Sequence, residues 1–251
     1  MNDSTTPRSG RLALVTGGAG TMGKAAAAGL IESGHRVVLA DINEDAVKAA
    51  AAELGAVSYP VAFDISSYEA CAAAMAEIAA EVGPVEVLVN NAGVLSNAKI
   101  VDTTPDEWHR VMSVNLDGAF YLTKLCLPAM RQAKWGRIIN ISSWAAKCGG
   151  LTAGTAYSVS KAAMIGLTFS TAAETTKDGI TVNGIAPAYV RTPMVEKQLT
   201  NEQQEAVMQK IPVGRYCEPE EFAHVVQFLA SPKAGFITGE IIDQNGGFQF
   251  D

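Results

Sequence analysis

Five short runs of almost unbroken apolar residues recur along the chain: Leu12–Val15, Val37–Ala40, Val85–Val89, Ile138–Ile141 and Thr181–Ile185. A strand with one face in water alternates apolar and polar side chains, so runs that do not alternate must be covered on both faces. Val57–Phe63 and Glu240–Asp243 are weaker members of the series. Pro60 cannot donate in a ladder and restricts the first of these to an edge or an interruption. Between the runs lie amphipathic segments. Val47, Ala51 and Leu54 share one helical face, as do Cys71, Met75, Ile78 and Val82, and Phe222, Val226 and Leu229. Ala25–Ala28 lacks bulk and permits close approach to a sheet. Pro105-Asp-Glu-Trp and Glu218-Pro219-Glu220-Glu221 open helices with proline and acids in the first turn. Strand and helix in strict alternation predict right-handed βαβ units. The expected fold is α/β, a doubly wound, mostly parallel seven-stranded sheet in a single domain over residues 11–251, behind a flexible tail over 1–10.

Composition narrows the function. With 251 residues and net charge −7, no Lys/Arg run is present to attract a phosphate backbone, so no nucleic-acid partner is expected. No stretch approaches ~18 consecutive apolar residues, and the polar start MNDSTTPRSG lacks the apolar centre of a signal peptide. The expectation is a cytoplasmic protein without a membrane partner. Cys71, Cys126, Cys148 and Cys217 form no CxxC pair and lie near no histidine, so no metal is expected. Three of them read as buried packing, with Cys148 a separate case close to the site described below.

The first strand runs directly into Thr16-Gly-Gly-Ala-Gly-Thr-Met-Gly23, and a helix follows. Gly18, Gly20 and Gly23 match GxGxxG in the strand–turn–helix setting where backbone amides meet a pyrophosphate at a helix N-terminus. Eighteen residues beyond Gly23, the second strand ends in Asp41. A carboxylate there accepts hydrogen bonds from an adenosine ribose and repels a 2′-phosphate. No arginine or lysine occupies the turn or follows Asp41, which favours NAD over NADP. The competing role for Asp41 is capping the next helix.

With these segments in order, the sequence resembles the classical short-chain dehydrogenase/reductase family over residues 11–250. The resemblance is carried by the turn at 16–23, Asp64, Asn90-Asn91-Ala92-Gly93, Asn115, Ser143, Tyr157-x-x-x-Lys161, and Pro187 to Thr192. It implies a cofactor site made of Gly17, Gly20, Thr21, Met22, Gly23, Asp41, Ile42, Asp64, Ile65, Asn91, Ala92, Gly93, Tyr157, Lys161, Pro187, Val190 and Thr192. Asn91-Ala92-Gly93 would end the fourth strand on the adenine side. Asp64 would bond the adenine ring or cap the following helix, and Val190 and Thr192 would hold the nicotinamide amide. Two positions depart from the family: Thr21 and Ala188 stand where glycine is usual. Gly20 could supply the missing freedom one residue earlier, and Ala188 requires a negative φ.

The implied catalytic set is Asn115, Ser143, Tyr157 and Lys161. Moving hydride to or from a carbon requires a proton to move at the attached oxygen. A phenol with an ordinary pKa near ~10 is a poor base at neutrality. Lys161, one helical turn beyond Tyr157, would lower it together with oxidised nicotinamide. Ser143 would hold the substrate oxygen, with Ser142 the alternative. Asn115, a poor residue for a helix interior, would hold a water linking Lys161 to solvent. Trp144, Cys148, Leu151, Tyr189 and the segment Met194–Ile211 would wall a partly apolar substrate pocket, with Lys147 expected to be solvent-exposed. The expected activity is NAD-dependent interconversion of a secondary alcohol and its ketone by a homotetramer. Reduction of a 3-oxoacyl thioester is the alternative, and a non-catalytic dinucleotide sensor is a third reading that the complete catalytic set argues against.

Overall fold

A computed structural model describes residues 10–193 and 200–250. Nearly all of the tail expected over 1–10, and residues 194–199 of the expected pocket wall, lie outside the described residues. The chain runs β1 (Leu12–Thr16), α1 (Thr21–Glu32), β2 (Arg36–Asp41), α2 (Glu44–Leu54), β3 (Ser58–Ala62), α3 (Tyr68–Glu81) and β4 (Val87–Asn90). It continues through α4 (Pro105–Met112), a π turn (Ser113–Asp117), α5 (Gly118–Ala133), β5 (Gly136–Ile141) and α6 (Ala145–Cys148). Then come α7 (Thr155–Thr175), β6 (Ile180–Pro187), α8 (Asn201–Met208), α9 (Pro219–Ala230) and β7 (Ile241–Gln244).

The seven strands lie in the order β3-β2-β1-β4-β5-β6-β7. Every pairing is parallel, so the sheet is wholly rather than mostly parallel. Pro60 does sit on the edge strand, opposite Leu39.

Covering both faces explains the unbroken apolar runs. In β1, Ala13 and Val15 point into one core with Ala26, Ala27 and Leu30 of α1, Val47 of α2, and Phe222, Val226 and Leu229 of α9. Leu12 and Leu14 point into the opposite core with Cys71, Met75 and Ile78 of α3 and Leu122, Cys126 and Met130 of α5. Truncating such a side chain, as in Leu14→Ala, costs about 2–5 kcal/mol. The alanine face of α1 lets it lie close to α9, where Gln227 Nε2 donates to Gly29 O at 2.6 Å.

Helix α4 begins as its sequence demands. Thr104 Oγ1 accepts from Glu107 N at 3.2 Å, and Pro105 occupies the first turn. The helix does not run smoothly to α5, because a π turn accommodates one additional residue around Asn115. The strand order reverses between β1 and β4, and their C-terminal ends open the crevice where such sheets bind ligands. No described helix is long and apolar enough to cross a membrane.

Candidate active site

The turn after β1 is set by backbone geometry. Gly17 has φ +63, a left-handed conformation that favours glycine. A Cβ on Gly18 would come within 2.8 Å of Leu39 Cβ in β2, and one on Gly23 within 2.1 Å of the Gly17 carbonyl oxygen. Gly20 has φ −74, which any residue can adopt. The freedom expected of Gly20 therefore belongs to Gly17. Thr21 begins the helix and needs no glycine geometry. Ala188 needs none either, since Lys134 is the only non-glycine residue with positive φ among the described residues.

The turn is braced from β4. Thr16 Oγ1 accepts from Asn91 N and Ala92 N, both at 3.0 Å, while Asn91 Nδ2 donates to Thr16 O at 2.9 Å. Strand β4 ends at Asn90, so Asn91 follows the strand rather than ending it. Gly20 provides no side-chain cap for α1, which leaves first-turn amides available to an anion. The Asp41 carboxylate lies beside the turn. Its Oδ2 accepts from Ala19 N at 3.2 Å and its Oδ1 from Asn43 N at 3.1 Å. Capping of α2 falls to Asn43, which accepts from Ala46 N. Capping of α3 likewise falls to Ser67, not Asp64, whose Oδ1 accepts from Ser66 N and Oγ. Ile42 is exposed at the rim. Ile65 is partly buried and faces Gly118, where a Cβ would meet its side chain at 2.9 Å.

From this turn a cleft of about 130 Å³ leads across the strand ends. Met22, Asn91, Gly93, Ser143, Tyr157, Lys161, Pro187, Val190 and Thr192 all line it. Asp41, Ile42, Asp64 and Ile65 lie outside that lining, toward the β2–β3 edge. With the glycine turn and the Asp41 carboxylate beyond one end of the cleft and Ser143, Tyr157 and Lys161 at the other, the residues present suit an elongated dinucleotide laid across the strand ends.

That far end is buried chemistry. Ser143 hydrogen-bonds the Tyr157 phenol. Burial pushes that phenol above its ordinary range, and the Ser143 bond opposes the rise without cancelling it. The lowering expected of Lys161 acts together with oxidised nicotinamide, so it belongs to the cofactor-bound state. The Lys161 ammonium lies 5.9 Å from the ring centroid. Lys161 is 3% exposed, donates to Ile141 O at 2.8 Å, and is brought down by burial to about 8. Ser142 lines the same cleft, and its Oγ donates to Lys161 O at 2.7 Å.

Asn115 is 0% exposed. Its Oδ1 accepts from Val94 N at 2.7 Å, and its Nδ2 donates to Val94 O and Ser160 Oγ, both at 3.0 Å. The amide thereby clamps the loop after β4 to α7. Gly93 passes so close that a Cβ there would stand 3.2 Å from Asn115 Oδ1 and 3.3 Å from Lys161 Nζ.

Beside Ser143 and Tyr157 is a second recess of about 90 Å³. Leu95, Trp144, Leu151, Thr152, Ala153 and Tyr189 are among its walls. Cys148 is not. It packs behind the recess, against the cluster of Trp144, Tyr189, Ile211 and Tyr216. Lys147 is not solvent-exposed but ion-paired to Asp243 at 2.5 Å, with side chains 17% and 22% exposed. Cys71 and Cys126 are buried as expected, whereas Cys217 is only partly so. Among the described residues no cluster of metal-ligating side chains occurs. Sequence reasoning missed Leu95, Thr152, Ala153 and Ser160, and the bracing of the turn by Thr16, all of which depend on contacts remote in sequence.

Residues 17–249 match the family model described as enoyl-(acyl carrier protein) reductase. The chain is 43% identical over 238 residues to acetoacetyl-CoA reductase of Shinella zoogloeoides, covering 94% of this chain and 98% of that protein. It is 40% identical to 2-dehydro-3-deoxy-L-rhamnonate dehydrogenase (NAD(+)) of Sphingomonas sp. (strain SKA58), covering 95% of each. A solved structure from Beutenbergia cavernae, provisionally named an NAD(P)-dependent gluconate 5-dehydrogenase and holding NADP at low occupancy, superimposes with a TM-score of 0.90 at 34% identity. That match covers 96% of this chain and 97% of the other. With a glycine turn, a cleft lined by Ser143, Tyr157 and Lys161, a fold shared with the Beutenbergia structure, and sequence matches across nearly the whole chain, the protein is an oxidoreductase: the chain belongs to the short-chain dehydrogenase/reductase family.

Proposed function

We propose that this protein reduces a 3-oxoacyl thioester to the 3-hydroxyacyl thioester, and runs the reverse reaction, with NAD(H). This replaces simple alcohol–ketone interconversion as the main reading. The observation that carries it is the recess beside Tyr157, walled chiefly by Leu95, Trp144, Leu151, Ala153 and Tyr189. Such walls suit a short acyl chain, while a polyhydroxylated substrate would find few partners beyond the hydroxyls of Ser143, Thr152, Tyr157 and Tyr189. The similarity to acetoacetyl-CoA reductase supports the same class. A sugar acid is the second reading, favoured by the NAD named for the Sphingomonas relative and by the Thr152 and Tyr189 hydroxyls, which lie 3.5 Å apart.

The dinucleotide would be held by Gly17 to Gly23, Asp41, Ile42, Asp64, Ile65, Asn91 to Gly93, Tyr157, Lys161, Pro187, Val190 and Thr192. When bound it supplies or accepts the hydride. Ser143 fixes the substrate carbonyl oxygen, and Tyr157 donates its phenolic proton to that oxygen. A raised phenol pKa keeps the proton in place for reduction. Lys161, about 8 in the free protein, remains mostly charged at neutral pH and restores the proton lost by Tyr157. Asn115 Nδ2 uses both its donors and Oδ1 one of its two acceptor sites within the protein, and a water linking Lys161 to solvent would be held beside it at the π turn. Asp41 favours NAD because a second anion beside it would be repelled. A cytoplasmic homotetramer joined through α5, α7 and β7 completes the proposal, with Phe120 and Phe169 exposed on those helices.

The test is turnover of acetoacetyl-CoA, a simple ketone and a keto sugar acid with NADH and NADPH. Acetoacetyl-CoA should give the highest kcat/KM. A sugar acid exceeding it tenfold would reverse the order of the two readings.

A further inference from the structure

The outer wall of the substrate recess is the stretch 149–154, which belongs to neither helix nor strand. It contains two left-handed glycines, Gly149 at φ +76 and Gly150 at φ +74, so local propensity does not fix its shape. Three of its carbonyls converge on one cation. Lys99 Nζ donates to Ala153 O at 2.7 Å and Gly150 O at 3.0 Å, with Leu151 O at 3.5 Å. An ammonium has three N–H donors and no acceptor, so this cage uses its full capacity.

The base of the cage is anchored too. Gly154 N donates to Ser96 O at 2.6 Å and Thr155 N to Ala98 O at 3.0 Å. Thr103 Oγ1 contacts Ala98 O and Lys99 O at 3.1 and 2.9 Å. A Cβ on Gly154 would lie 2.4 Å from Ala98 O, so the two segments meet backbone to backbone.

We propose that Lys99 is a positioning residue for substrate binding: by holding the carbonyls of Gly150, Leu151 and Ala153, it fixes the outer wall of the recess and limits the acyl length accepted. Leu151, Thr152 and Ala153 face the recess, whereas Lys99 is not among its walls. Its effect therefore passes through the loop. The choice of acyl substrate rests on the function proposed above, but the mechanical role does not.

Lys99→Met keeps the aliphatic stem and removes the charge. KM for acetoacetyl-CoA and for acetoacetyl-N-acetylcysteamine should rise by about three- to tenfold alike, as expected for losing charge-assisted bonds at an exposed site. The kcat should stay within about twofold, NADH affinity should hold, and longer 3-oxoacyl thioesters should gain relative to the four-carbon one. Amide exchange over 149–154 should quicken, and Lys99→Arg should restore most of the wild-type behaviour. A rise confined to the CoA ester would mean that Lys99 binds the CoA phosphates directly, which overturns the proposal. Unchanged KM together with unchanged exchange overturns it as well. If no thioester is turned over, the function proposed above fails, and the exchange rates alone decide for or against Lys99.

Discussion

The two ends of the cleft are built by different means. At the β1–α1 end the determinants are backbone: the left-handed Gly17, Gly18 against Leu39, Gly23 against the Gly17 carbonyl, and one carboxylate from Asp41. At the β5–α7 end they are side chains, with Ser143, Tyr157 and Lys161 buried among hydrogen bonds that join β5, the turn after it and α7. The first end recognises a shape and a charge. The second end alters pKa values, because burial there acts on Tyr157 and Lys161. A substitution at the glycine end should therefore change affinity, and one at the tyrosine end should change turnover.

The largest expected effect tests the tyrosine end. Tyr157→Phe should lower kcat by about 10³-fold while NADH affinity stays within about twofold, a general acid being worth roughly 10²–10⁴. Retention of more than about a tenth of wild-type kcat would remove Tyr157 from its role. The glycine end should respond in the opposite sense. Gly23→Ala places a methyl where only 2.1 Å is available, so NADH titration should show loss of binding by about 100-fold, or the protein should fail to fold. Binding within twofold of wild type would contradict the turn geometry. A smaller effect is expected at Asp41. Asp41→Asn should lower the NADH/NADPH ratio of kcat/KM by about tenfold through relief of charge repulsion, with kcat for NADH little altered.

The smallest effect separates burial from catalysis. Lys161 has a folded pKa of about 8 against an ordinary 10.5, so the unfolded chain binds more protons between those values. This group's contribution to stability is least favourable below pH ~8 and improves as pH rises toward ~10.5. Lys161→Met should therefore show its best Tm relative to wild type near pH 7, and lose that relative advantage by pH 10 by a few °C, at about 2–4 °C per kcal/mol for a domain of this size. A Tm difference that does not move with pH would mean the ammonium is solvated.

The fold was legible because parallel strands buried on both faces leave an unbroken apolar signature, and Pro60 marks the edge. Boundaries were not, since β6 and β7 run on through Pro187 and Gln244, held by pairing and not by local pattern. In the site, the residues carried by fixed spacing came together: Tyr157 with Lys161, and Gly17 to Gly23 with Asp41. What sequence could not supply was the partner of each polar atom. Asn115 meets Val94 and Ser160, Thr16 meets Asn91, Lys147 meets Asp243, and Lys99 meets Ala153. Each pair is distant in sequence and adjacent only through the sheet order or a loop crossing. The caps moved by a similar cause: Asp41 and Asp64 look like N-caps, but Asn43 and Ser67 stand at the correct offset from the first helical turn.

The most direct test of the account is a paired measurement of kcat/KM for NADH and NADPH with acetoacetyl-CoA on the wild-type enzyme. The account predicts turnover with both and a preference for NADH of about tenfold or more, set by Asp41. A preference for NADPH, or no oxidation of either cofactor by the thioester, would contradict it.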